Sequence, residues 1–224
     1  EGGRVYSSSL TSSTTASRTI YNGLDIKGSF ALGSSNAAAG GPTGDLTIST
    51  NVTGVTTVLS GDANVTADSA VDWYQPISGS GKSFSKAGYA NLHLRGPATL
   101  GTLEAREGNL YVRNTNTIDT VVVRSGAVLG YGSSNTLSTS SYFGSAVLVL
   151  SNGAIFGQFA ACGSGTDAER TLLNNIKLQG DVVLGLGTYG NYFGGDVDLT
   201  GGNRSIGITN STLISGVVSN GALT

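Results

Sequence analysis

Methionine is absent from the 224-residue sequence; cysteine, histidine and tryptophan occur once each, and proline three times. Each scarcity excludes something. The single cysteine, Cys162, cannot form an internal disulfide. The single histidine, His93, excludes a two-histidine metal centre, and no cysteine lies near it in sequence. Without methionine, Glu1 is not an initiator residue, so the chain is expected to be processed or excised from something longer. Charge is equally thin. Asp, Glu, Lys and Arg make up 12% of the residues, against a usual figure of roughly 25%. The net charge is −2 and no basic stripe exists, so no nucleic-acid partner is expected. No apolar run approaches the ~18 residues of a membrane helix. The strongest, 145–150, is strand length, and membrane insertion of this segment is not expected.

Helical periodicity is nearly absent too, the one candidate being a short helix or capped turn at 165–171. What remains is glycine, at 35 residues, with Ser, Thr and Asn as the polar stock. Ser and Asn compete with the helical backbone for hydrogen bonds and suit strands and turns. Hydrophobic residues reach 38% in short regular runs, too much apolar surface for a disordered chain. Only 1–18 is expected to be loose, and its run Ser7–Thr15 reads either as a loose start or as a polar strand. Elsewhere alternation dominates. In 102–108, Leu103 and Ala105 share one face, while Glu104 and Arg106 take the other. Residues 109–114, 120–124, 127–129 and 146–150 follow suit, each closed by Gly, Ser or Asn. Short strands with turn punctuation and no helices between them predict an all-β fold.

A long internal likeness selects among all-β folds. Thr19–Gly33 aligns without gaps on Thr171–Gly185, 152 residues later, matching aliphatics at 20, 24, 26 and 32 and glycines at 28 and 33. Later matches drift to a shorter offset, which stacked rungs tolerate because turns project outward and each rung pairs only with its neighbours. The prediction is a right-handed parallel β-solenoid (β-helix) forming a single elongated domain. It comprises a polar N-terminal segment 1–18, a first long repeat 19–170 and a partial second repeat 171–224 that stops mid-repeat. At roughly 20–25 residues per rung it has about ten rungs, and at ~4.8 Å per rung it measures on the order of 50 Å.

The segment 77–96 resembles the autotransporter-associated β-strand repeat, also called the passenger-associated repeat. Ile77, Gly79, Gly81, Phe84, Lys86, Gly88, Leu92, Leu94 and Gly96 carry the likeness, and 195–216 resembles the stretch leading into a further repeat. Tyr89-Ala90-Asn91 and Pro97–Gly101 depart from the family's loop pattern. The resemblance implies a right-handed β-helical passenger region of an exported bacterial protein, located outside the cell or on its surface after secretion.

Chemistry-bearing constellations are sparse. His93 alternates outward between Leu92 and Leu94 and reads as a surface residue, and no G-x-S-x-G elbow accompanies it. Parallel β-helices also serve polysaccharide lyases and hydrolases, which need clustered carboxylates with a basic partner. Asp181, Asp196, Asp198 and Arg204 are the candidates, against the simpler reading of a solvated face. Glu104, Arg106 and Arg113 are placed outward on neighbouring strands, as weak ion pairs or a binding patch. Aromatic-tipped turns are predicted at Trp73, Tyr74, Tyr89, Tyr142 and Tyr192. Two readings of them stay open: exposed contacts for glycans or subunits, or packing beneath a loop. No catalytic residue, cofactor or metal is predicted. The expected function is a structural or adhesive stalk that associates end to end through open solenoid faces, the alternative being a β-helical polysaccharide lyase, hydrolase or glycan-binding module.

Overall fold

Because successive side chains of a strand point to opposite sides, an alternating segment buries one row and exposes the other. Wherever the segments 63–67, 92–94, 103–105, 110–112 and 147–150 alternate, they do so with the aliphatic row inside. This architecture is seen in a computed structural model that describes residues 4–5, 18–33, 45–50, 53–133, 142–162 and 171–224. Among them there is no helix, and every strand pairing is parallel. The predicted turn or helix at 165–171 lies outside the described residues except for Thr171, which begins a strand, and the run Ser7–Thr15 lies outside them entirely.

The strands form a parallel β-solenoid with three faces. On one face, ten strands stack in the order Arg4–Val5, Phe30–Leu32, Ala63–Ala67, Ile77–Ala87, Ala98–Ala105, Thr117–Val123, Val147–Leu150, Ile176–Leu178, Val197–Asp198 and Val218–Ser219. Nine steps of ~4.8 Å make this column about 43 Å tall, close to the expected ten-rung rod. A second face stacks nine strands from Arg18–Ile20 to Ile206–Ile208, with Val71–Trp73, Leu92–Leu94, Asn109–Val112, Val128–Tyr131 and Ile155–Gln158 among them. The third face begins with Leu24–Ile26 and Thr57–Leu59 and runs through the N-terminal parts of Ile77–Ala87 and Ala98–Ala105. Near the other end, Thr171–Leu172, Asn191–Phe193 and Thr212–Ile214 form a three-stranded sheet.

Register corrects one expectation. Leu178 stacks on Leu150, Val123, Ala105, Lys86, Val65 and Phe30 in turn. The alignment at 152 residues had matched Leu178 with Ile26, which lies instead beneath Leu59 on the third face. The likeness between 19–33 and 171–185 is therefore between strands that occupy different faces. It reports a shared strand-and-turn grammar, while the rungs follow another spacing. Their advance varies from 18 residues, between Ala105 and Val123, to 35, between Leu32 and Ala67. The local register absorbs even a bulge: Gly79 to Ser83 spans the same ladder as Leu100 to Thr102, with Gly81 at φ 69° at its tip.

Stacked register makes each inward position a column. Phe84, Leu103, Val121, Leu148 and Ile176 form one, and Val71, Leu92, Leu110, Leu129, Phe156 and Leu184 another, all buried. Aromatic rings link the columns, with Tyr131 5.4 Å from Phe156 and Phe156 6.0 Å from Phe193 between centroids. Polar groups close the corners. The Asn116 amide donates to the Asn114 and Tyr142 carbonyls and accepts from the Ala98 N–H. Gln75 does the same work for Asn22 and Ser49, and the Asn174 amide for Gly144 and Ala146. Buried backbone groups need such partners wherever the ladder is interrupted.

Leu148→Ala, in the middle of a column, is expected to lower unfolding free energy by ~2–5 kcal/mol. Thr99→Ala, at an exposed outward position, is expected to change it by less than ~1 kcal/mol. Urea denaturation of both variants checks the contrast.

Candidate functional site

Outward positions carry whatever chemistry a solenoid offers, and here the sequence candidates separate. Trp73 and Tyr142 are fully buried, so of the two open readings, exposed contact or packing inside, these two take the packed one and are not surface contacts. Val71 and Trp73 face inward while Asp72 and Tyr74 face out, so two adjacent strand residues cannot both tip a turn. The Trp73 indole donates to Thr57 Oγ1 at 3.2 Å and meets Phe84 edge-on at 5.6 Å. Tyr142 packs on Tyr131, and its hydroxyl accepts from the Ser133 N–H at 3.0 Å. Burial pushes its phenol up to about 12. Tyr74 and Tyr89 are exposed, and Tyr192 is half-buried beside the inward Phe193.

The carboxylate candidates hold backbone. Asp181 accepts the Ser205 N–H at 2.8 Å and Asp196 the Val217 N–H at 3.0 Å, each from the next rung. Asn152 and Asn175 serve Asp181 and Asp196 in the same way one rung below. Asp198 accepts from the Thr200 N–H and from Asn220, and these bonds hold its carboxyl below the usual range. Arg204 donates to Leu199 O and Thr200 Oγ1. Among the described residues, no three metal-ligating side chains converge.

Glu104, Arg106 and Arg113 do not form one patch. Glu104 pairs with Arg106 at 3.7 Å and with Arg124 on the next rung. Arg113 belongs to another face, where the most concentrated side-chain chemistry lies. There Asp72, His93 and Tyr111 form an outward column on successive rungs. Tyr74, Arg95 and Arg113 form the column beside it, as their N–H bonds to Ile48, Trp73 and Leu94 show. The next rung offers Gly130 and Gly132 at these positions. A Cβ at Gly130 would lie 2.6 Å from the Tyr111 ring and 2.8 Å from the Leu186 side chain, so the missing side chain leaves the space that these two fill. Phe159, one rung further, packs against Tyr111 at 4.4 Å with the ring planes inclined at 42°. His93 lies 4.7 Å from Tyr111 and also meets Phe159 edge-on at 6.2 Å, so the three rings form one cluster.

Two guanidinium groups lie on these rings. The Arg95 group sits 5.3 Å over Tyr74, and that of Arg113 sits 4.7 Å over Phe159. Arg95 Nε donates to Asp72 at 2.6 Å, whereas Arg113 Nε donates to His93 Nδ1 at 3.1 Å. Asp72 also lies 4.0 Å from His93 Nδ1, but this is not an ion pair. Burial, then the Arg113 charge, lowers the His93 pKa to about 4. The imidazole is neutral at pH 7, and its proton resides on Nε2 because Nδ1 accepts. Outward placement of His93 agrees with the sequence, yet its side chain is only 19% exposed.

Sequence reasoning missed two features. Lys86 is fully buried: its ammonium donates to the Gly88 carbonyl and, at 2.7 Å, to that of Glu107. Desolvation outweighs the nearby Glu107 charge and lowers its pKa to about 8. Gly108 is required here, since a Cβ would lie 2.6 Å from the Lys86 ammonium. Alternation from Phe84 already placed Lys86 inward. The second feature is Phe159, which no local pattern links to Tyr111.

No protein-family model matches the chain, and neither a curated protein nor a solved structure matches it.

His93 gives a pH prediction with a definite sign. Its folded pKa, about 4, lies below the ordinary 6.5. Between these values the unfolded chain binds the proton and the folded chain does not. Stability is therefore expected to fall as pH drops from 6.5 towards 4 and to level off below, by at most ~3 kcal/mol. In His93→Gln this share of the pH dependence disappears, which denaturation midpoints at pH 7 and pH 4.5 measure.

Proposed function

We propose that the chain is a non-catalytic structural or adhesive element of an exported bacterial surface protein, a rigid β-solenoid rod serving as stalk or filament segment. The observation that carries this reading is the uninterrupted stack of ten parallel strands on one face. A stack of that kind extends by adding rungs, and its length is set by rung number alone. The distribution of carboxylates favours it over the lyase or hydrolase alternative, because Asp181, Asp196 and Asp198 are engaged by backbone N–H groups of neighbouring turns. The low charge and Gly, Ser, Thr and Asn-rich surface suit a rod in an extracellular setting.

End-to-end association fits the same reading. The last described rung leaves Ile208, Leu213, Val217 and Leu223 exposed. This apolar end matches a further parallel rung, supplied by the same polypeptide or by a second copy.

Electron microscopy of the purified chain over a concentration series tests the proposal. Short rods at low concentration that join into longer ones of constant width are the expected result. Monomeric particles at every concentration would remove the filament role, and hydrolytic or eliminative cleavage of a polyuronate by the purified chain would overturn the non-catalytic role.

A further inference from the structure

The outer face carrying Asp72, His93 and Tyr111 has a property that the rod reading does not require. Arg95 is neutralised by Asp72. Arg113, one rung above, has no carboxylate within ion-pair distance among the described residues, and its only side-chain hydrogen bond there is the one from Nε to His93. Among the described residues its two terminal nitrogens have no partner, while Nε and one face of the guanidinium plane are fixed by His93 and Phe159. A cation positioned in this way keeps its donor fork for a planar anion, and a carboxylate matches that fork with two parallel hydrogen bonds.

The surroundings narrow the ligand. One unneutralised charge calls for one carboxylate at this point, with neutral groups on either side. Tyr74 stands two rungs below Arg113 in the same column, roughly 10 Å away at ~4.8 Å per rung; the residue is 44% exposed, with Arg95 over one face of its ring. An aromatic face with a polar tip accepts the C–H face of a sugar ring. An extended acidic peptide has less to bind, because every backbone edge on this face is already paired within the solenoid and strand addition is blocked.

We propose that Arg113, oriented by His93 and Phe159, anchors the carboxylate of an acidic saccharide laid along this lateral face, with the part of Tyr74 that Arg95 leaves open set against a neighbouring sugar ring. The site is a binding site only. It stands on side-chain geometry and is independent of the stalk reading, which would survive its failure.

Calorimetric titration of the full chain with tetragalacturonate is the test, with its methyl ester and tetraglutamate as comparison ligands. Expected are saturable binding of tetragalacturonate, at least tenfold weaker binding in Arg113→Gln, and unchanged binding in Arg124→Gln on the other face. In 15N spectra of the unmodified chain, the Arg113 Nε–H resonance should shift during the titration, which tests the site without any variant. Absence of binding, equal binding by Arg113→Gln, equal binding of the methyl ester, or tighter binding of tetraglutamate would each overturn the proposal.

Discussion

In-register parallel pairing is the constraint from which the rest of this structure follows. Each strand gives its hydrogen bonds to the rung above and the rung below, so position stacks on like position along the whole rod. A residue that faces inward on one rung is therefore committed to a column, and the column must be dry and filled. Leu, Val, Ile and Phe meet that demand along the columns through Leu103 and Leu110. The outward rows are freed from packing and hold Ser, Thr, Asn and the few charges.

The same constraint explains the buried polar residues. At corners the backbone leaves the ladder, and its carbonyl and amide groups would be stranded. Gln75, Asn116 and Asn174 reach into these corners and bond the stranded groups. Lys86 solves a corner with a charge instead, its ammonium bonding the carbonyls of Gly88 and Glu107. Asp181 and Asp196 perform the exposed version of this task, each accepting an N–H of the following turn. Carboxylates that resemble a catalytic cluster in sequence are thus turn fasteners in space.

How much was legible in the sequence follows from what is local. Alternation is local, and it disclosed the all-β character, the burial of Leu92 and Leu94 and the outward direction of His93, whereas stacked rungs were inferred from the internal likeness. Alternation also contained the inward placement of Trp73 and Lys86, which attention to turn-like composition concealed. Register across rungs is not local. It depends on turns whose lengths make the rung advance vary from 18 to 35 residues, so a fixed offset of 152 residues joined strands of different faces. The meeting of His93, Tyr111, Arg113 and Phe159 depends on that register and on Gly130, whose missing side chain leaves space for the Tyr111 ring. No motif announces it.

Cross-linking tests the register most directly. Thr99 and Thr117 are register partners on adjacent rungs and both are exposed, whereas Asp119 lies two residues further along the same outward row. With Cys162 replaced by Ala, cysteines at 99 and 117 are expected to close a disulfide readily. A pair at 99 and 119 should not, since the diagonal separation of ~7–8 Å exceeds disulfide reach. Closure of the second pair in preference to the first, or of neither, would contradict in-register parallel stacking.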